Sequence, residues 1–154
     1  MAPKKTPPDI RIIELEYGGP LWEQVKNLRL EVFVTEQHVP IELEIDEYDK
    51  TAVHLAALEG DQVIGTARLI ETGGDLIKIG RVAVAIPARQ SGVATALMHR
   101  ALEYATNHGI TEAVLDAQVT VIGFYERLGF VAEGEIFDDA GIDHIRMRRV
   151  QKPA

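Results

Sequence analysis

Three apolar segments joined by two short turns are the feature that most constrains the fold of this chain. The segments cover residues 52–59, 63–70 and 76–84, and the turns between them are Gly60-Asp61 and Gly73-Gly74-Asp75. Turns this short connect antiparallel strands, and glycine adopts the positive φ angles that tight hairpins require. The pattern therefore predicts three consecutive strands of one antiparallel sheet.

A helical pattern follows these strands. Pro87 ends the third strand, and from Val93 to Ala105 apolar residues recur at the i, i+4 spacing of an amphipathic helix. Asn107-His108-Gly109 is a signal for the C-terminal end of that helix. A similar spacing predicts an earlier helix from Leu21 to about Glu36.

The rest of the chain adds four predicted strands and one short helix. The strands are expected at residues 10–17, 112–117, 130–137 and 142–150, and the helix at residues 119–128. Elements in this order indicate the α/β (α+β) class, with a mixed sheet rather than a doubly wound parallel sheet. A glycine within the strand at 76–84, Gly80, predicts a bulge or a close backbone approach there.

The composition excludes several kinds of protein. The 154 residues suit a single domain, predicted at residues 9–150, and residues 1–8, with three prolines, are predicted to form a disordered tail. The chain has no cysteine, which excludes disulfides and thiolate metal sites. The net charge of −8 argues against a nucleic-acid partner, and no apolar run approaches the roughly 20 residues that cross a membrane. The missing secretory signal and cysteines predict a cytoplasmic location.

The segment Arg89-Gln90-Ser91-Gly92-Val93-Ala94 lies between a predicted strand and the amphipathic helix. The first N–H groups of a helix lack intrahelical partners and carry partial positive charge, so they bind anions. Gly92 would let phosphate oxygens approach the backbone, and Arg89 would add a charge-assisted contact. Because the protein is acidic, such a phosphate site must be local. The alternative is that the segment is only a loop and helix cap.

This segment and a second motif resemble those of the GCN5-related N-acetyltransferase (GNAT) superfamily. Its phosphate motif, Arg/Gln-x-x-Gly-x-Gly/Ala, matches residues 89–94, and its aromatic pair with a following Gly-Phe matches residues 124–130. Over roughly residues 25–149 the sequence is similar to a bacterial subgroup of the ElaA and YjcF type. Segments typical of that subgroup are Val32-Phe33-Val34-x-Glu36-Gln37, Glu44-x-Asp46, His54-Leu55 and Ala140-Gly141-Ile142-x-His144.

The resemblance implies the GNAT fold, with one mixed sheet of about seven strands flanked by about four helices. It also implies acetyl-coenzyme A as cosubstrate, no metal, and a small-molecule amine that attacks the thioester directly, with homodimers common in the superfamily. Pantetheine would pair with the backbone of Val82 and Val84. The pyrophosphate would bind the N–H groups from Gln90 to Ala94. The resemblance would also place Phe124 in the cofactor site, and Gln118 stands where the superfamily often has asparagine.

The same resemblance gives candidates for proton transfer. Tyr125 matches the family's general acid, because a phenol with an ordinary pKa near ~10 is protonated at neutral pH. The general base is less defined: His144 is preferred, then Glu36, then His54, and a water chain to solvent is a further alternative. Each of these side chains has a purely structural alternative role as a hydrogen-bonding or core residue.

Two further questions stay open in the sequence. Acidic residues cluster in the segment 37–51, which contains Pro40 and is predicted to be irregular; they would either recruit a cationic amine or form a solvated charged loop. They are Glu42, Glu44, Asp46, Glu47 and Asp49.

The leading interpretation of the chain is an N-acetyltransferase. The alternatives are a non-catalytic acyl-coenzyme A-binding or regulatory module, and a scaffold in which residues 89–94 only cap a helix.

Overall fold

A single seven-stranded sheet runs through the protein, and the structure, a computed structural model, describes residues 9–151. The strand order across the sheet is β1-β2-β3-β4-β5-β7-β6. The strands are β1 (Ile10–Leu15), β2 (Val53–Glu59), β3 (Gln62–Glu71), β4 (Leu76–Val84), β5 (Glu112–Gln118), β6 (Val131–Asp139) and β7 (Ile142–Val150).

Strand direction follows from the connections. Short turns join β2, β3 and β4, and β6 to β7, so these neighbours are antiparallel, as are β1 with β2 and β5 with β7. β4 and β5 are parallel, because a helix crosses over the sheet between them. The predicted α/β (α+β) class with one mixed sheet of seven strands is confirmed.

Four α-helices accompany the sheet within residues 9–151: α1 (Gly19–Arg29), α2 (Ile41–Glu44), α3 (Val93–Asn107) and α4 (Ile122–Arg127). The first predicted helix does reach Glu36, but its last part, Leu30–Glu36, is π-helical, which apolar spacing cannot distinguish from an α-helix. None of the helices in this part of the chain is long and apolar enough to cross a membrane. Short 3₁₀ turns cover Glu47–Lys50, Ile86–Ala88 and Val119–Val121.

α3 lies very close to the sheet at its first turn. A Cβ atom placed on Gly65 of β3 would stand 2.7 Å from Cγ1 of Val93 and 3.0 Å from Cδ1 of Leu97. Real side chains do not approach that closely, so glycine is required for this packing. The close approach fixes the N-terminal end of α3, and with it the segment before Val93, against the centre of the sheet.

A cluster of charged side chains is buried on the other side of the sheet, where α1 packs. Arg29 is fully buried, and its Nε and Nη1 atoms donate to Oε1 of Glu44 at 2.6 Å and to Oδ1 of Asp49 at 2.7 Å. Arg68 of β3 donates to Asp46 at 2.6 Å and to Asp49 at 3.1 Å. We call this group, completed by Arg81 of β4, the arginine–carboxylate cluster.

The cluster corrects the interpretation of the acidic segment. Glu44 lies in α2 and Asp49 in the 3₁₀ turn that follows, so residues 37–51 are more regular than predicted. Glu44 is 2% exposed and Asp49 is fully buried, so the idea of a solvated charged loop is wrong for both. The sequence could not show this, because the arginines that neutralise these carboxylates come from α1, β3 and β4.

Most element bounds agree with the sequence patterns. β4 has the predicted bounds, while β1 ends at Leu15 rather than at residue 17. The predicted disordered tail at residues 1–8 lies outside the described residues. The extent of the single domain, residues 9–150, stays a prediction.

Replacing Arg29 by methionine tests the arginine–carboxylate cluster. The change leaves two buried carboxylates without their shared partner, so we expect the free energy of unfolding to fall by about 3–5 kcal/mol. Denaturant titration would measure it. The control is Lys26→Met in the same helix, which removes a partly exposed ion pair with Glu23 and should cost less than about 1 kcal/mol. Equal losses for the two variants would contradict the cluster's role.

Candidate active site

A cleft opens where β4 and β5 separate. The two strands pair only at their first residues, with Leu76, Ile77 and Lys78 opposite Glu112, Ala113 and Val114. Beyond Lys78, β4 continues to Val84 and β5 to Gln118 without pairing to each other. The space between them is a cavity of about 760 Å³, lined on one side by β4 and on the other by β5, α4 and the β6–β7 turn.

A bulge shapes the β4 wall of this cleft. Gly80 pairs with Arg68 and Ala83 with Thr66, so Arg81 and Val82 together face the single residue Ala67. Arg81 has a φ of +52°, in the left-handed region that non-glycine residues rarely adopt. The interruption predicted at Gly80 is therefore a bulge that begins one residue later, and it redirects the strand at the middle of the cleft.

The backbone of β4 beyond the bulge presents free hydrogen-bonding groups to the cleft. The N–H of Ala85 donates to the carbonyl of Ile64 at 2.9 Å, toward β3. Successive residues of a regular strand direct their backbone groups to opposite edges, so the N–H of Val84 points toward the cleft. Val82 belongs to the bulge, where this alternation is interrupted. An added extended segment would find hydrogen-bond partners there, as it would at a sheet edge.

The segment between β4 and α3 closes one end of the cleft. Gln90 and Gly92 adopt positive φ angles of +61° and +89°, and the hydroxyl of Ser91 donates to the carbonyl of Ala88. Gly92 is the N-cap of α3, and its carbonyl accepts from the N–H of Ala96 at 3.0 Å. The N–H groups of the intervening first turn have no intrahelical acceptor, so this end of the cleft can bind an anion.

Arg89 is held by two partners. Its Nη1 and Nη2 atoms donate to the two carboxylate oxygens of Glu36 at 2.7 and 2.6 Å, and its Nε donates to the carbonyl of Val84 at 2.9 Å. The hydrogen bonds from Arg89 lower the pKa of Glu36, which therefore stays ionised. Glu36 is not among the side chains that line the cleft. It tethers the guanidinium of Arg89 to the π-helical segment.

Tyr125 lies on α4 in the wall of the cleft. It is 9% exposed and packs edge-on against Phe124 and Phe130, with ring centroids 5.0 and 6.1 Å away. Burial raises the pKa of the Tyr125 phenol to about 12. Its hydroxyl has no hydrogen-bond partner within residues 9–151, so a protonated phenol is available to a ligand in the cleft.

His144 and Gln118 face each other across β5 and β7, and both line the cleft. The Nδ1 atom of His144 lies 2.7 Å from the carbonyl oxygen of Ile142. A carbonyl only accepts, so Nδ1 carries a proton, and in the neutral form of the ring Nε2 is the acceptor. The side-chain amide of Gln118 donates to that of Gln37 at 2.9 Å, which joins β5 to the end of the π-helical segment.

His54 lies elsewhere. It is fully buried beside Trp22, and its Nε2 atom is 2.9 Å from the carbonyl oxygen of Asp49. Burial lowers the pKa of His54. A neutral histidine in this position belongs to the core and does not reach the cleft.

The structure brings most of the predicted site residues together around one cleft. Three do not line it: His54, which lies in the core, Glu36, which binds Arg89, and Val93, the first residue of α3, whose side chain is buried in the core. Those that line the cleft are Val82, Val84, Arg89, Gln90, Ser91, Gly92, Ala94, Gln118, Phe124, Tyr125 and His144.

Several charged residues of the cleft were missed by sequence reasoning. Lys78, Arg81 and Arg68 line it from the sheet, and Asp116 of β5 lies 3.5 Å from the amine of Lys78 and 2.6 Å from Nε of Arg146. Lys78 does alternate with the buried Ile77 and Ile79, which marks it as lying on the other face of β4. Alternation alone cannot show whether that face meets solvent or a cleft.

Comparison with known proteins agrees with this geometry. A family model described as "Acetyltransferase (GNAT) domain" matches residues 20–150. The Bacillus subtilis protein named "Uncharacterized N-acetyltransferase YjcF" is 34% identical over 131 residues, covering 82% of this chain and 93% of its own. Protein ElaA of Escherichia coli is 36% identical over 127 residues, covering 79% and 82%. The crystal structure of an acyl-CoA N-acyltransferase from Pseudomonas aeruginosa superposes with a TM-score of 0.83 at 33% identity, covering 92% and 99%.

These findings confirm the resemblance drawn from the two sequence motifs, including its narrower likeness to ElaA and YjcF. The likeness covers nearly all of the sheet and the whole of the cleft. The roles of individual residues in the cleft stay predictions.

Replacing Glu36 by glutamine tests the tether on Arg89. The neutral amide competes less well for the guanidinium, so we expect inorganic pyrophosphate to bind a few-fold more tightly to the variant. Calorimetric titration with pyrophosphate would measure the change in Kd. Glu42→Gln removes the same charge from a residue that does not contact Arg89, and its Kd should match that of the parent protein. A weaker Kd in the Glu36 variant would contradict competition at Arg89.

Proposed function

Because the chain belongs to the GNAT acetyltransferase family, we propose that it transfers an acetyl group from acetyl-coenzyme A to the amine of a small-molecule acceptor by direct attack. One observation carries the proposal: a single cleft joins the open edge of β4 to the unsatisfied N-terminal end of α3. An extended ligand with a pyrophosphate at one end and amides along its length matches these two features.

The cosubstrate site is proposed on backbone groups. The N–H groups from Gln90 to Ala94 and the side chain of Arg89 would hold the pyrophosphate, which needs no broad basic surface. The open edge at Val84 and Val82 would pair with the amides of pantetheine, with Phe124 and Gln118 on the opposite wall. Acetyl-coenzyme A supplies the activated acyl group when bound.

Two groups in the cleft are suited to stabilise the charge that develops during transfer. The N–H of Val82, a residue of the bulge, would donate to the thioester carbonyl. Tyr125 is proposed as the general acid for the leaving thiolate. Its pKa of about 12 keeps the phenol protonated throughout the neutral range, so it is available as a donor.

Removal of the proton from the attacking amine is proposed for His144. The ring lines the cleft and has Nε2 free as an acceptor, because Nδ1 donates to Ile142. Glu36 is a weaker candidate, since its charge is already shared with Arg89 and it lies outside the cleft lining. A chain of water molecules to solvent is the alternative base. The cytoplasmic location and the homodimer stay predictions.

Binding of coenzyme A and release of thiol test the function directly. We expect coenzyme A to bind with measurable heat, and acetyl-coenzyme A to release thiol in the presence of an amine panel. Gly92→Ala should weaken coenzyme A binding at least about tenfold, because a side chain is strained at φ +89° and crowds the phosphate position.

The matched control is Gly134→Ala, which carries a similar strain at φ +75° in β6, away from the cleft. Coenzyme A binding that persists without any thiol release would instead favour the non-catalytic acyl-coenzyme A-binding module. Absence of coenzyme A binding would reject both functions and leave residues 89–94 as a helix cap.

Tyr125→Phe tests the proposed general acid. Removal of the hydroxyl should leave coenzyme A affinity unchanged and lower kcat about 100-fold or more, because protonation of the thiolate then depends on solvent. Tyr104→Phe is the control, since Tyr104 is also buried, with a pKa of about 12, but its hydroxyl bonds to Glu71 outside the cleft. A kcat for Tyr125→Phe equal to that of the control would remove this role.

A further inference from the structure

Cationic side chains line the cleft beyond the point where the acyl group would lie. We propose that the acceptor is an amine that also carries a carboxylate, bound by Arg81 and Lys78. This inference rests on the proposed acetyl transfer, and it identifies the chemical class of the acceptor that the sequence left open.

The position of the two residues along β4 places them on the acceptor side. The phosphate end of the cleft is at residues 89–94, and the open strand edge runs from Val84 to Val82. Arg81 follows directly and Lys78 lies three residues further along, about 10 Å at the rise of an extended strand. Groups beyond Val82 therefore face whatever attacks the carbonyl that Val82 would hold.

The carboxylates that Arg81 and Lys78 contact already have cationic partners, whereas Asp139, at the end of β6, lines the cleft without an ion pair among residues 9–151. Glu44 contacts Arg29 and Arg81, while Asp46 and Asp49 are bound by arginines of the same cluster. Asp116 is bound by Arg146 and Lys78. Glu44 and Asp49 are also buried, so they do not offer a free negative charge to a cationic amine. Glu42 and Glu47 of the same segment are exposed but do not line the cleft, so recruitment of a cationic acceptor by the acidic segment is disfavoured.

Arg81, in contrast, retains an unused donor. Its Nε atom contacts Oε2 of Glu44 at 2.8 Å, and its Nη2 donates to the carbonyl of Leu43 at 3.1 Å and to Asp46 at 3.2 Å. Its Nη1 atom has no partner among the residues that the structure describes. A guanidinium held by three partners loses little further freedom when it binds a carboxylate, so the free Nη1 is preorganised.

Lys78 is the second cation of the proposed carboxylate site, and its amine has fewer partners than the guanidinium of Arg81. Its side chain is 42% exposed, and its one ion pair in residues 9–151, with Asp116, is long at 3.5 Å. Gly80 lies between Lys78 and Arg81, and nothing lies within 4 Å of the position that a Cβ atom would take there. The space between the two cations is therefore open to a small anionic group.

Arg81 and Lys78 would select an anionic group over a cationic one only at short range. The net charge of −8 attracts cations at long range, but a cationic group placed between Arg81 and Lys78 would be repelled at contact. A carboxylate there forms charge-assisted hydrogen bonds and leaves the amine of the same molecule directed toward Val82.

Matched acceptors test the inference. Thiol release from acetyl-coenzyme A would be followed with α-, β- and γ-amino acids and with the corresponding carboxamides, which differ only in the anionic group. We expect kcat/KM to be at least about tenfold higher for the carboxylates. Equal or higher values for the carboxamides would overturn the inference while leaving acetyl transfer intact. Thiol release with other amines but with neither series would also overturn the inference alone, whereas coenzyme A binding with no thiol release for any amine would overturn both.

Lys78→Gln tests whether the preference for carboxylates over carboxamides arises at Lys78. The variant should raise KM for the amino acids several-fold and leave KM for the carboxamides unchanged, because only the former lose a charged contact. Lys50→Gln removes the same charge from an exposed residue outside the cleft and should change neither. Arg81→Lys keeps the charge but not the planar guanidinium, and it should raise KM for the amino acids more than KM for the carboxamides, because Arg81 also holds the bulge that both series depend on. A uniform change in both series would contradict carboxylate binding by these residues.

Discussion

The hydrogen bonds from the buried guanidinium of Arg29 to Glu44 and Asp49 are the interactions on which the rest of the structure depends. A guanidinium at full burial is stable only with well-placed partners, and here it joins Glu44 and Asp49 of the acidic segment to α1. Glu44 and Asp46 then hold Arg81 at the bulge of β4. The arginine–carboxylate cluster therefore holds the β4 backbone at Arg81, in the middle of the cleft.

The cleft itself arises from a mixed sheet. β4 belongs to an antiparallel meander and β5 to an antiparallel group with β7 and β6, and the two groups meet in one short parallel contact. Because only three residues of each strand pair, the strands separate without breaking a long ladder. A binding site of this kind requires few specific side chains, since its donors are backbone groups that the separation leaves unpaired.

Much of the fold follows from local patterns, while the charged interior does not. Turn glycines and apolar alternation predicted β2, β3 and β4, and the i, i+4 spacing predicted α3, because these signals lie within single elements. The phosphate segment and Tyr125 were predicted from motifs. The pairing of Glu44 with Arg29 and Arg81, the tether from Glu36 to Arg89 and the burial of His54 depend on residues distant in sequence. No local pattern carries that information, and acidic residues in a row are usually solvated.

The ion pair between Glu36 and Arg89 couples the π-helical segment to the segment that is proposed to bind phosphate. A ligand that binds Arg89 in place of Glu36 would remove one contact that holds the π-helical segment beside the cleft. Linkage is reciprocal, so a molecule that stabilises the segment in its tethered form must weaken phosphate binding by the same factor. A phosphate-bearing ligand at Arg89 and a second molecule at the π-helical segment would then change each other's affinity without direct contact.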